Sequence, residues 1–255
     1  MTATYSQVLF EEYLQAKSLV LDRDYFYERD LGKPTKPDYF VKDIGGDLLF
    51  EVKEFSSRNK DEKKLRAAMM ASPGQPAGFT RNPYSQIRET IHKAKRQLRH
   101  YKTEYPCMLI LHKGDSMMAS LDVNIVAAAA FGDLSMNDKL GWHFGRNGKL
   151  SPRHNRTFSA IGILEEFYPD REQAVKTFLA QHPPMQTDLM WEVEQRFDKW
   201  AVANKFDLEK RHVRLKVIIN TFAYKQVPIE FFSNLNDEIY TTNESGMFGR
   251  SVPAA

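Results

Sequence analysis

Two charged residues, Glu51 and Lys53, interrupt the apolar run "DLLFEVKEF" at residues 47–55, and an aspartate, Asp38, follows a proline in "KPDYFVKD" just before it. Side chains alternate along a strand, so Asp47, Leu49, Glu51, Lys53 and Phe55 share one face, and Leu48, Phe50, Val52 and Glu54 share the other. Two charges on a half-apolar face are costly unless they pair or hold an ion. If a hairpin sets Asp38 beside Glu51, the two carboxylates repel. A hard divalent cation such as Mg²⁺ relieves that repulsion through oxygen ligands. Asp38 and Glu51 are therefore the candidate metal ligands, with the Val52 carbonyl as a further oxygen. Lys53 is suited to positioning a water or offsetting charge that develops on a phosphate oxygen. Read singly, Glu51 and Lys53 also match a solvated surface ion pair, which contributes little. The second carboxylate and the hairpin separate the two readings.

The elements that must position these groups are legible in outline. Residues 5–21 lack Gly and Pro and carry a wide apolar helical face. "DYFYER" (24–29) reads as a short strand and "LGKPTKP" as a turn. Residues 38–43 and 47–55 form a hairpin closed by Gly45 and Gly46. Residues 56–82 make a long Gly- and Pro-containing excursion, of the kind that engages ligands or moves. A helix of about 20 residues follows from Pro83, then a strand at 106–113 buried on both faces. Further on, "SLDVNIVAAAAFGDL" (120–134) has a helical composition and 157–167 and 212–220 read as strands. Residues 170–181 and 187–203 read as helices, and the tail after about 240 as irregular.

The Pro37-Asp38 pair followed, after a glycine turn, by Glu51-Val52-Lys53 resembles the PD-(D/E)XK signature of the restriction-endonuclease-like nucleases. The α-β-β-β-α-β order read from residues 5–113 is that of the same superfamily. The resemblance implies an α/β (α+β) fold with a mixed central sheet. It implies a nuclease core over 1–114, with 56–82 as a loop insertion, and a C-terminal α/β elaboration over 115–255 packed on that core. Many members carry a first-helix glutamate in the metal shell. Glu12 falls inside the apolar arc of the first helix and Glu11 outside it, which selects Glu12, although Lys17 lies in the arc too. Gln97 and Tyr101 form a Q-x-x-x-Y similar to that of RecB-like and Cas4-like members, where the glutamine approaches the active site.

The activity implied is Mg²⁺-dependent hydrolysis of phosphodiester bonds, with Mn²⁺ as a substitute. DNA stands ahead of RNA as substrate, in a restriction, repair or defence setting, and a homodimer is the assembly that cutting two strands suggests. Asp38, Glu51, Lys53, Glu12 and Gln97 form the candidate catalytic set. The alternative is a non-catalytic nucleic-acid or nucleotide binder that keeps the fold.

Bulk properties fit this class without selecting it. The chain has 255 residues, net charge +3, 42% hydrophobic and 27% charged residues, ordinary values for a globular protein. No apolar run is long enough to span a bilayer, so no membrane partner is expected. The single cysteine, Cys107, excludes a disulfide framework and a cysteine zinc site, and points to a reducing, cytoplasmic compartment. The charge is uneven: residues 81–102 hold seven Lys or Arg against one Glu, a basic surface suited to a polyanion. Arg88, Lys93, Lys95, Arg96, Arg99 and Tyr101 are its candidate nucleic-acid contacts, although Tyr101 also lies on the helix's apolar stripe. The loop "FGRNGKLSPRHNR" (144–156) adds Arg146 and Lys149, with Arg153 and Arg156 beside them. No H-E-x-x-H spacing and no G-x-S-x-G elbow occurs, which excludes those metal and serine chemistries.

Overall fold

The computed structural model of the chain describes residues 3–43, 45–56, 63, 64, 67, 70, 84–116, 120–132, 134–137, 141–144, 148–150, 156–183, 189–233, 236–242 and 248–251. Nearly all of the expected 56–82 excursion, with Arg146 and Arg153, lies outside the described residues.

The chain opens with α1 (Tyr5–Ala16). Thr4 and Gln7 close a reciprocal capping box at its start: Gln7 N–H donates to Thr4 Oγ1 and Thr4 N–H to Gln7 Oε1, satisfying two amides that a helix end leaves open. Strands β1 (Tyr25–Tyr27), β2 (Tyr39–Val41) and β3 (Leu48–Glu54) follow as an antiparallel meander. Next come α2 (Tyr84–Leu98) and β4 (Cys107–His112), whose six residues are all buried. That burial matches a strand that runs parallel to both its neighbours and has both faces covered. The remaining elements are α3 (Val123–Phe131), a separate hairpin of β5 (Leu134–Asn137) and β6 (Gly141–Phe144), β7 (Ala160–Phe167), α4 (Pro169–Gln181), α5 (Met190–Ala203) and β8 (His212–Ile219). A 3₁₀ turn (Ile229–Phe232), β9 (Glu238–Thr242) and β10 (Phe248–Ser251) end the described chain.

Among the described residues the class is mixed α/β, and one sheet dominates. Its eight strands run in the order β1-β2-β3-β4-β7-β8-β9-β10. β3, β4 and β7 are parallel, as are β8 and β9, and the outer pairs β1–β2, β2–β3 and β9–β10 are antiparallel. The sheet continues through the boundary expected at residue 114, because β4 pairs with β7 in register from Met108↔Ala160 to His112↔Leu164. The chain divides elsewhere: residues 1–165 and 215–255 make one compact unit and residues 166–214 a second. In the second unit α4 and α5 bury Ala174, Phe178, Phe197 and Ala201 against each other.

Two expectations for the later chain need correction. The described part of the tail after 240 is not irregular, since β9 and β10 pair from Ile239↔Ser251 to Thr242↔Phe248. The β5–β6 hairpin also lies in a stretch that had no strand assigned.

The two faces of the sheet around β3 are covered by different helices. Phe10 of α1 packs on Tyr39 and Phe50, with ring centroids 5.2 and 5.1 Å away. Phe40, Leu49 and Phe55, which project to the other face, cluster with Ile87, Ile91, Ala94 and Leu98 of α2. Glu51 and Lys53 alternate with these and belong to the α2 side.

Candidate active site

Register is what builds the site. Tyr39 pairs with Phe50 across β2–β3, so continuing one residue sets Asp38 opposite Glu51, on the face covered by α2. The Val52 amide donates to Asp38 Oδ2 at 2.8 Å and fixes that carboxylate against β3. Lys53 Nζ lies 3.7 Å from the same oxygen and forms a closer ion pair with Glu51 Oε1. The three side chains expected to meet therefore do meet. Val52 joins them through its N–H, while its carbonyl had been the expected ligand.

Burial sets the electrostatics. The Glu51 side chain is 0% exposed, Asp38 14% and Lys53 31%. Both Glu51 oxygens are buried without a hydrogen bond of good geometry, and Lys53 is the cation beside the carboxylate. Desolvation first, then the Asp38 charge, push the Glu51 carboxyl up to about 7, against the opposing pull of Lys53 and the Asp38 amide. Asp38 is raised mainly by burial, with Lys53 and the Val52 amide pulling it down and Glu28 pushing it up. Burial works against the Lys53 ammonium, but Glu51 and Asp38 outweigh it and hold its pKa above the usual lysine value.

Glu28 is the residue the sequence reading missed. Its amide donates to the Asp38 carbonyl at 3.0 Å, and Tyr27↔Tyr39 register carries on to Glu28 opposite Asp38. Glu28, Asp38 and Glu51 thus form a row across three strands. The signal was available: two adjacent hairpins of fixed register align the acidic end of "DYFYER" with Asp38. Glu28 also sits at φ 44°, a left-handed conformation uncommon for a residue with a Cβ.

Several expected members stand elsewhere. Glu12 takes no part in the interactions of Asp38, Glu51 or Lys53, because α1 covers the opposite face of the sheet. On that face Glu11 accepts from Tyr39 Oη at 2.9 Å. Gln97 lies on the correct helix, but its side chain makes no hydrogen bond to the trio. Its backbone carbonyl instead accepts from Thr35 Oγ1.

Tyr101 is fully buried and donates from Oη to the Thr35 carbonyl, so it is not a nucleic-acid contact. Together Gln97 and Tyr101 tie the end of α2 to the segment that leads into Asp38. That is a positioning role.

The basic residues divide by burial. Arg88 is half-buried, lies over the Tyr84 ring and points Nη2 at the Ala128 carbonyl of α3, which removes it from the exposed set. Arg156 likewise donates to the Phe222 carbonyl and stacks on Tyr224. Lys93, Arg96, Arg99 and Lys149 are exposed, with Lys93 paired to Glu89 at 2.7 Å, and Lys95 is half-buried.

Among the described residues no group of three or more His, Cys, Asp or Glu side chains is gathered closely enough to hold a metal. The carboxylates that stand together are the pair Asp38 and Glu51, and both Glu51 oxygens are buried without a hydrogen bond of good geometry. A pair suits Mg²⁺, which keeps several waters and uses one or two carboxylates. No helix among the described residues is long and apolar enough to cross a membrane. Comparison with protein-family models, with curated proteins and with solved structures finds no match to this chain.

Proposed function

We propose that the chain is a divalent-cation-dependent nuclease of the restriction-endonuclease-like class, hydrolysing phosphodiester bonds, with DNA ahead of RNA. The observation that carries the reading is the trio of Asp38, Glu51 and Lys53, with one carboxylate wholly buried and short of partners. Burying an ionised carboxylate without full compensation costs stability, and a cation-binding role accounts for its retention. Support also comes from the order α1-β1-β2-β3-α2-β4 among the described residues.

In this reading Asp38 and Glu51 hold Mg²⁺ or Mn²⁺. The bound cation supplies a polarised phosphate oxygen and an acidified water. Asp38 is held ready by the Val52 amide. Glu51, whose carboxyl sits near 7, would bind such a cation in its ionised form. Lys53 would offset the charge that builds on the phosphate. The exposed Lys93, Arg96, Arg99 and Lys149 contribute phosphate contacts that set affinity without reading sequence. Restriction, repair or defence are the settings such an enzyme serves, and a homodimer is the assembly for cutting both strands.

A second reading, a binder that retains the fold, is favoured by one observation. Lys53 already closes on both carboxylates, as in a site that neutralises itself. Incubation with plasmid, single-stranded DNA and RNA in Mg²⁺, Mn²⁺ or EDTA decides between them. Metal-dependent cleavage that falls at least a hundredfold in Asp38→Ala and Lys53→Ala supports the nuclease. Salt-sensitive binding with no cleavage supports the binder and refutes the enzyme.

A further inference from the structure

Arg29 is a charged side chain that has no polar partner among the described residues. Its guanidinium lies over two rings, 4.5 Å from the Phe26 centroid and 4.7 Å from that of Phe40. Nη1 is buried and donates to no acceptor among the described residues, and no described carboxylate pairs with any of the guanidinium nitrogens. Only Nη1 is closed off from solvent in this way, so the remaining edge of the fork can still be reached. Most half-buried arginines pair with a carboxylate or a backbone carbonyl, because desolvating the charge is otherwise costly. Here two aromatic faces hold the plane and no described group occupies its donors.

The placement is not accidental to the candidate site. In an extended strand Arg29 would project to the face opposite Glu28. The left-handed φ of 44° at Glu28 breaks that alternation, and the guanidinium folds back over Phe26 and Phe40. Phe40 lies on the same face as Asp38, two residues along β2, which is about 7 Å. A rigid, stacked, always-charged fork beside a phosphate-processing centre is suited to bidentate grip on a phosphate. Lys42 also lies over the Phe26 ring, at 5.0 Å, but it has Asp24 as a charged neighbour. Arg29 is flanked in sequence by Glu28 and Asp30 but makes no ion pair with a described carboxylate.

We propose that Arg29 is an anion-binding site. It docks a phosphate of the nucleic-acid strand next to the one processed at Asp38, Glu51 and Lys53. That identity of the anion rests on the nuclease reading, whereas the anion site itself does not.

The test therefore has two arms on the full chain. In the first, the arginine Nε–Hε resonances are followed by NMR in EDTA while inorganic phosphate is added, with Arg29→Lys identifying the Arg29 signal. A saturable shift at Arg29, larger than at exposed Arg96 and Arg99 and absent with chloride at equal ionic strength, is expected. An Arg29 signal that moves no more than theirs overturns the proposal, whatever the cleavage assays show. In the second arm, a short fluorescein-labelled oligothymidylate is bound to the Asp38→Asn protein, with and without Arg29→Gln. Affinity should fall about tenfold, with the log–log salt slope reduced by ~0.7, the increment of one phosphate contact on a single strand. Arg29→Lys, which keeps the charge, should recover part of the loss. Unchanged affinity and slope in an Arg29→Gln protein of native spectrum overturn the strand-docking role while leaving the nuclease reading intact. A phosphate shift at Arg29 in a protein that neither binds nor cuts nucleic acid would sink the nuclease reading and uphold the anion site.

Discussion

Glu51→Gln isolates the buried carboxylate with almost no change of shape. In the folded chain the Glu51 carboxyl titrates at about 7, against an ordinary value of 4.5, because burial and the Asp38 charge disfavour ionisation. A group whose folded pKa is raised binds its proton more tightly when folded. Its contribution to stability is complete below the unfolded pKa and is lost as pH rises through the folded one. Between about pH 5 and pH 8 a rise of that size lowers wild-type stability by about 2.5 kcal/mol, since a tenfold difference in proton affinity between the folded and unfolded chain is worth about 1.4 kcal/mol. Full burial of the side chain means no discount for solvent screening. Glutamine does not titrate, so the stability of Glu51→Gln relative to wild type should rise by about 2.5 kcal/mol over that range, whatever its offset at low pH. Urea unfolding followed by circular dichroism in EDTA, at fixed ionic strength and several pH values, measures this. Saturating Mg²⁺ should flatten the wild-type profile by favouring the ionised carboxylate, and should leave Glu51→Gln unaffected. Cation affinity should in turn weaken as pH falls below about 7, because the proton competes with the metal. If the two proteins lose stability in parallel as pH rises, Glu51 is an ordinary ion-pair partner of Lys53 and holds no cation.

Other substitutions test the frame around the site. Tyr101→Phe removes the hydroxyl that holds Thr35 and should cost about 1 kcal/mol in urea unfolding. It should also slow cleavage several-fold, because the segment entering Asp38 loosens; an unchanged rate would deny the positioning role. Asp237→Asn strikes the buried group that accepts from Tyr13 Oη and the Leu215 amide at 2.7 Å each and faces Lys17 Nζ at 4.0 Å. Leaving that ammonium without its counter-charge should cost about 3–5 kcal/mol, read as a lowered denaturant midpoint, and Lys17→Met in the same chain should recover part of it. Gly162→Ala on β7 puts a Cβ 2.7 Å from Ile110 Cδ1 and 3.3 Å from Leu215 Cδ2. Overpacking of this kind should destabilise the chain by about 1–3 kcal/mol, and a neutral result would mean that these side chains move aside freely.

The site was more legible than its surroundings for a physical reason. Alternation along β3 places Glu51 and Lys53 together without any knowledge of the fold, and a single hairpin decides whether Asp38 joins them. For Glu12, helical phase says which residues face the core, but not which side of a sheet the helix covers. Only the packing of Phe10 on Tyr39 and Phe50 reveals that. Gln97 and Tyr101 were legible as a pair, and both meet Thr35 in the structure. Their spacing puts both on the same side of the helix, and what that side touches depends on where the 31–37 segment runs. Glu28 went unseen because its place in the row needs two registers in succession. The β9–β10 pair escaped because "EIYTT" and "FGRS" are short, mixed in polarity and flanked by turn-forming residues, and β propensity depends strongly on the sheet that receives it.

The arrangement also says how a cation would enter a site that lysine already closes. With Asp38 ionised, Lys53 charged and Glu51 near its midpoint at neutral pH, the trio carries a net charge between zero and minus one. Its polarity shifts with a single proton. An arriving dication need not break a strong buried salt bridge outright. Asp38 and Glu51 would hold it in place of one proton and one shared ammonium, and Lys53, with 31% of its side chain exposed, has water to move into. Asp38 need not move, because its position is set by the Val52 amide rather than by Lys53 alone. Proton, lysine and metal therefore compete for the same oxygens. A Lys53→Met chain makes this competition measurable: losing the ammonium should tighten Mn²⁺ binding in calorimetry even as cleavage collapses. Weaker Mn²⁺ binding in that variant would mean that Lys53 supports the metal site instead of competing with it, and that no such exchange of lysine for metal occurs.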